Sequence, residues 1–149
     1  MNEAQVRTVA LFFFLAFLEE QVATVATTKA IGKLNRGASI TDKFTNVNSA
    51  IVYYCYLYWK KMRKKQKHVN IGVEKMFEIP GSLDLEPWKQ LQKETIPEEY
   101  IATIWSMVMG FSDEQIAEGL SVSVGTVQHR VSLSIRRLGH ILEAGKRHG

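Results

Sequence analysis

Gln128, His129 and Ser132 fall close together at the start of a helical pattern, with Thr126 and Arg130 interleaved and Arg136 and Arg137 following. These residue types suit DNA. A glutamine can pair bidentately with an adenine edge and a histidine can donate to a base or a phosphate. A helix N-terminus flanked by Thr126 and Arg130 can hold phosphates. A second group, Lys60, Lys61, Arg63, Lys64, Lys65 and Lys67, places six cations in eight consecutive residues, and residues 51–68 contain no acid. Such a run fits contact with a nucleic-acid backbone, and a solvated helix end is its plainer alternative. Enzymatic chemistry has no comparable basis. His68, His129, His140 and His148 have no Ser, Cys or carboxylate at a catalytic spacing, no Gly-rich phosphate loop occurs, and no Cys/His cluster has zinc spacing. No enzyme activity, cofactor or metal is expected.

Local signals around the first group predict a helix-turn-helix. Ser112, followed three residues later by Gln115, has the form of a capping box, so a helix starts there and runs to about Leu120 with Ile116, Ala117 and Leu120 inward. "SVS" makes the turn and Ser123 caps the next helix, in which Val127, Val131, Ile135 and Leu138 repeat at helical spacing toward the core. Ala117 is small where two helices cross, Ser121 lies in the turn, and Val127 locks the second helix onto the first. Ser123, Val124, Gly125, Gln128, His129 and Ser132 are thereby left where major-groove readers present their side chains. Glycine would suit the turn at Ser121 better if its φ is positive. The bland alternative is a helical hairpin whose polar residues are only solvated. A preceding helix carries Tyr100, Ile101, Ile104, Trp105 and Val108, and ends at Gly110.

The rest of the chain must support this unit. With 149 residues, 46% hydrophobic composition and a formal net charge of +4, it can bury a core, and its charge permits a polyanionic partner without demanding one. One helix is expected from about Glu3 to Leu34 and a second from about Thr41 to His68, with Phe44, Val47, Ile51, Tyr54 and Tyr58 on one face against the Phe-rich first helix. Glu74, Glu78, Asp84, Glu86 and Glu94 make the next stretch acidic, and Pro80, Pro87 and Pro97 punctuate it around a short helix near Trp88–Lys93. The resulting division is an N-terminal helical domain, 1–68, an acidic linker, 69–95, and a helix-turn-helix domain, 96–149: an all-α chain. The run from Val9 to Leu18 is too short to span a bilayer, and Glu19 and Glu20 follow it, so no membrane association is expected. The lone Cys55 cannot form an intramolecular disulfide and is expected to be buried and inert, in a cytoplasmic protein.

The stretch "GFSDEQIAEGLSVSVGTVQHRVSLSIRRLG", with "SVGTVQHR" at its centre, resembles the promoter-reading C-terminal domain of bacterial RNA polymerase sigma factors, which binds the −35 element. LuxR-type regulators share the style of helix-turn-helix but usually carry histidine at the position of Arg130. The likeness covers about Pro97 to Leu142, and the layout of helical domain, acidic linker and reading domain is similar to that of a small extracytoplasmic-function sigma factor. It implies double-stranded promoter DNA and core RNA polymerase as partners, with an anti-sigma or other regulatory protein as a further one. The basic end "YWKKMRKKQKH" is similar in character to the helix end with which such factors hold the −10 region. The acidic Leu/Gln/Phe helix motif that grips the polymerase clamp is not found; "TDKFTNVNSAIVYYCYLYW" occupies that neighbourhood. Two other readings therefore stand beside a working sigma factor. One is a stand-alone activator or accessory sigma-like subunit with a dimerising N-terminal domain. The other is a protein-interaction module that keeps the fold and no longer reads DNA.

Overall fold

A computed structural model describes residues 1–36, 43–66 and 84–148, and every regular element among them is helical. In chain order these are α1 (Glu3–Phe17), α2 (Glu20–Asn35), α3 (Val47–Gln66), α4 (Glu86–Glu94), α5 (Pro97–Thr103) continued by a π-helical turn (Ile104–Val108), α6 (Asp113–Leu120) and α7 (Val124–His148).

The single helix expected from Glu3 to Leu34 is two helices. Leu18 adopts the left-handed conformation, φ 53°, and its N–H closes on the Phe14 carbonyl at 2.8 Å. For a residue with a Cβ this conformation costs about 1–2 kcal/mol. The compensation comes from far along the chain: the Leu15 carbonyl accepts the Tyr100 hydroxyl at 2.5 Å and the Ala16 carbonyl accepts Gln92 Nε2 at 2.8 Å. Carbonyls left open at a helix end need partners, and α1 ends where α4 and α5 supply them. Glu19 then caps α2 from an extended conformation, and Glu20 complements the positive end of the new helix dipole.

The second N-terminal helix starts at Val47, so Phe44 precedes it; Thr41 and His68 lie outside the described residues. Its buried face also differs. Ile51 and Tyr54 are buried as expected and Tyr58 is half-buried, but Val47 is exposed, while Cys55, Trp59 and Met62 fill the core. Ser49 and Val52 form a second buried side, because α3 lies between α2 and α6. Burial also pushes the Cys55 thiol well above its ordinary pKa, which disfavours the reactive thiolate.

The Phe-rich α1 packs on α3, as expected, and also on the π-helical turn of the C-terminal half. Phe12 stacks on Trp105 with centroids 4.1 Å apart, and Trp105 stacks in turn on Phe111 at 5.4 Å. The π turn places Trp105 in this sandwich; Met109 N–H bonds to the Ile104 carbonyl five residues back. Gly110, at φ +69°, then ends the segment, and the Phe111 N–H returns to the Trp105 carbonyl at 3.0 Å. Residues 84–95, expected in the linker, include α4, whose buried Leu91 helps to seat it against α7. Helices before residue 67 and after residue 83 thus contribute to one continuous core.

Candidate nucleic-acid interface

The capping box forms as the spacing predicts: Ser112 Oγ accepts the Gln115 N–H at 3.2 Å and Gln115 Oε1 accepts the Ser112 N–H at 3.1 Å. Helix α6 ends at Ser121, whose φ of 56° is left-handed although it is not glycine. The turn closes through Val122 N–H to the Ala117 carbonyl at 3.0 Å, and Ser123 Oγ caps α7 by accepting the Thr126 N–H at 3.0 Å. Ala117 and Val127 are both buried at the crossing.

Along α7 the inward residues are Val127, Val131, Ser134 and Ile141, with Leu138 half-buried. Ile135, expected in the core, is 46% exposed. A serine takes the buried place because its hydroxyl donates to the Glu99 carbonyl of α5 at 3.1 Å, so no polar group is stranded. This hook orients α7 against α5.

On the outward side, Ser123, Gly125, Gln128, His129, Ser132, Arg136 and Arg137 are exposed, while Val124, Thr126 and Arg130 are half-buried. The set expected to meet DNA therefore lies along one accessible helix. Three members are engaged within the protein. Gln128 Nε2 donates to Asp113 Oδ2 at 3.3 Å, and the Thr126 and Ser123 hydroxyls are 2.8 Å apart. The Asp113 contact orients Gln128 through a carboxylate that a duplex would have to displace or accommodate.

The basic run lies on the last turns of α3. Lys60, Lys61, Lys64 and Lys65 are exposed and Arg63 is half-buried, whereas Lys67 lies outside the described residues. Aromatic rings alternate with these cations: Lys60 lies over Tyr56 at 5.1 Å, Lys61 over Tyr58 at 5.3 Å and Arg63 over Trp59 at 4.8 Å. Such contacts hold long side chains in place. A cleft of about 270 Å³ is lined by Trp59, Lys60, Arg63, Lys64 and Glu98, so an acid from the first turn of α5 borders the basic run.

The seam between α3 and α6 was not identified from spacing or motif. Ser49 Oγ donates to the Gln115 carbonyl at 3.2 Å, and Asn48 Nδ2 approaches Gln115 Oε1 at 3.4 Å. Glu118 accepts the Thr45 N–H at 2.6 Å and the Thr45 hydroxyl, which together lower its pKa below the ordinary carboxylate value. Gly119 marks the closest approach: a Cβ there would lie 2.5 Å from Val52 Cβ and 2.7 Å from the Ser49 carbonyl oxygen. Helical glycine next to buried small residues is the one trace of this seam in the sequence.

Among the described residues no group of three His, Cys, Asp or Glu could hold a metal ion, and no helix is long and apolar enough to cross a membrane. No protein-family model matches the chain, and no curated protein does. Among solved structures it is similar to the sigma factor RpoE of Bartonella quintana, solved in complex with the anti-sigma factor NepR. That match has a TM-score of 0.72 at 22% identity, covering 94% of this chain and 92% of the other. The likeness takes in helices on both sides of residues 67–83, and the chain has the all-helical fold of that sigma factor.

Proposed function

We propose that the chain is a sigma-factor-like transcription protein that works with RNA polymerase and reads double-stranded promoter DNA through α6, the Ser121 turn and the start of α7. In this reading residues 1–68 form the helical unit that meets polymerase, and residues 96–149 form the reading unit. One observation carries it: Gln128, His129 and Ser132 are exposed at the start of a helix whose opposite side, Val127 and Val131, is locked onto α6. This is how a recognition helix is presented to a major groove. Gln128 and His129 read base edges; Ser123, Val124, Gly125, Thr126, Arg130 and Ser132 line the approach to bases and phosphates; Arg136 and Arg137 extend the positive surface. The basic run on α3 adds a second, backbone-type contact. Selection of duplexes from a random pool by the full-length protein, with and without core polymerase, tests the reading. An enriched motif that Gln128→Ala degrades is the expected result, and no enrichment in either case would refute it.

A second reading has its own support. Likeness to a sigma factor solved with an anti-sigma factor favours a regulatory protein as partner. The core shared by the two halves favours a chain that acts as one body, as an accessory subunit or an interaction module. A pull-down that recovers a regulator and no polymerase subunits would select it.

A further inference from the structure

Arg63 differs from the other cations of the basic run because the fold holds it in place. It is half-buried, its guanidinium lies 4.8 Å from the centre of the Trp59 ring, and it forms no ion pair among the described residues. A cation partly withdrawn from water with no carboxylate to pair it is costly. Lys60 and Lys64, one helical turn apart, line the same cleft and add the repulsion of like charges. Glu98 is the one carboxylate lining it, so three cations against one acid leave two positive charges over. That surplus matches a phosphate monoester, which carries about −1.5 to −2 near neutral pH.

Trp59 and Arg63 also line a second cavity of about 240 Å³, whose other walls are Ala16, Phe17, Pro97, Tyr100 and Gln92. Its polar groups are fixed as acceptors. Gln92 Nε2 donates to the Ala16 carbonyl and the Tyr100 hydroxyl to the Leu15 carbonyl, which leaves Gln92 Oε1 and the Tyr100 oxygen free to accept. Apolar walls with a few placed polar groups are the usual anatomy of a small-molecule site, and acceptors suit a flat ring that carries an amino group. From the two adjoining cavities we propose a single binding site for a purine mononucleotide, with its phosphate held by Arg63, Lys60 and Lys64 and its base between Phe17, Pro97 and Gln92. Arg63 stands where the two cavities meet, and its paired N–H donors match phosphate oxygens. Residues of α1, α3, α4 and α5 all contribute, so the site exists only in the folded whole. It requires neither promoter reading nor polymerase, and its failure leaves the proposed function untouched.

The test is calorimetric titration of the full chain with adenosine monophosphate and guanosine monophosphate, and separately with adenosine, inorganic phosphate and a single-stranded oligodeoxyadenylate. Saturable one-to-one binding of a mononucleotide is expected, with adenosine and phosphate each much weaker. Arg63→Gln is expected to weaken it about 10- to 100-fold, the worth of a charge-assisted hydrogen bond. Lys64→Gln, at an exposed position, should weaken it in the same direction and serves if circular dichroism shows that Arg63→Gln does not fold. Glu98→Gln should tighten binding, because it removes the one acid beside the phosphate; a purely structural role for these residues would not produce opposite signs. No binding of either mononucleotide at millimolar concentration would overturn the site. So would affinity unchanged in both Arg63→Gln and Lys64→Gln, or inorganic phosphate binding as tightly as the nucleotides, which would mark an adventitious ion only. Binding of the oligonucleotide without the mononucleotides would assign the cleft to a nucleic-acid strand and equally reject the proposal.

Discussion

The hydroxyl of Tyr100 on α5 donates to the carbonyl of Leu15 on α1 at 2.5 Å, across 85 residues of sequence. It supplies one of the partners that the end of α1 lacks. Both groups are taken out of water, so removing the hydroxyl strands a carbonyl.

Tyr100→Phe is therefore expected to destabilise the protein by about 1–3 kcal/mol, the cost of a buried polar group left unpaired. Alkaline pH gives a second readout. Burial raises the Tyr100 pKa well above its ordinary value of about 10 and raises that of Cys55 as well. The folded state thus keeps these protons longer than the unfolded one. Their contribution is fully present below the unfolded pKa values and is lost as pH rises toward the folded ones. Thermal midpoints should fall from about pH 9 upward, and Tyr100→Phe with Cys55→Ala should flatten that slope. A double variant with the slope of the wild type would show that other groups control it.

The stack of Phe12 on Trp105 predicts how the two halves unfold. Phe12→Ala is expected to cost about 3–5 kcal/mol and to lower the unfolding midpoint of both halves together. Hydrogen exchange along α5 and α7 reports the C-terminal half, and exchange along α2 and α3 reports the N-terminal one. Separate transitions in the wild type would contradict a core shared by both.

The α6–turn–α7 unit was legible in the sequence because its signals are local. Ser112 with Gln115, Ala117 with Val127, and Ser123 with Thr126 are each pairs no more than ten residues apart, and each forms as its spacing predicts. What was missed depends on distant residues. The break at Leu18 follows from acceptors filled by Gln92 and Tyr100, 76 and 85 residues away. Ile135 was assigned to the core because it continues the apolar spacing from Val131. Ser134 takes that place only because α5 offers the Glu99 carbonyl. The Phe-rich α1 meets α3 as expected, but no pattern within α1 shows that Phe12 also stacks on Trp105. Gly119 could not be interpreted until Val52 lay against it.

If the start of α7 reads DNA as proposed, replacement of Gln128 or His129 by Ala is expected to cost about 1–3 kcal/mol at the preferred site and to relax base preference there. Equal loss on all sequences would remove them from base readout. Arg136 and Arg137 are exposed further along α7, where phosphate contact is the natural role. Their replacement by Ala should weaken binding to every duplex and reduce the salt slope by about one unit for each phosphate lost. Arg130 is half-buried, so Arg130→Ala needs a folding control before a change in slope is assigned to phosphate.

The basic run separates a working sigma factor from an accessory or interaction protein. Arg63 lies over Trp59 and lines the same cleft as Glu98, so its loss would disturb packing as well as charge. Lys60, Lys61, Lys64 and Lys65 are exposed and can be neutralised together as glutamines with little effect on the core. In a working sigma factor these lysines lie against promoter DNA beside the melted region. The four-fold variant is therefore expected to reduce polymerase-dependent promoter opening and to lower the salt slope by nearly one unit for each lysine that meets a phosphate. Permanganate reactivity of unpaired thymines, with core polymerase and each variant, measures the opening. Motif preference through Gln128 should be retained, because the reading helix is untouched. Opening that proceeds equally with the neutralised variant would identify the run as a solvated helix end. Opening that never depends on this protein would reject the working sigma factor and leave the accessory or interaction reading.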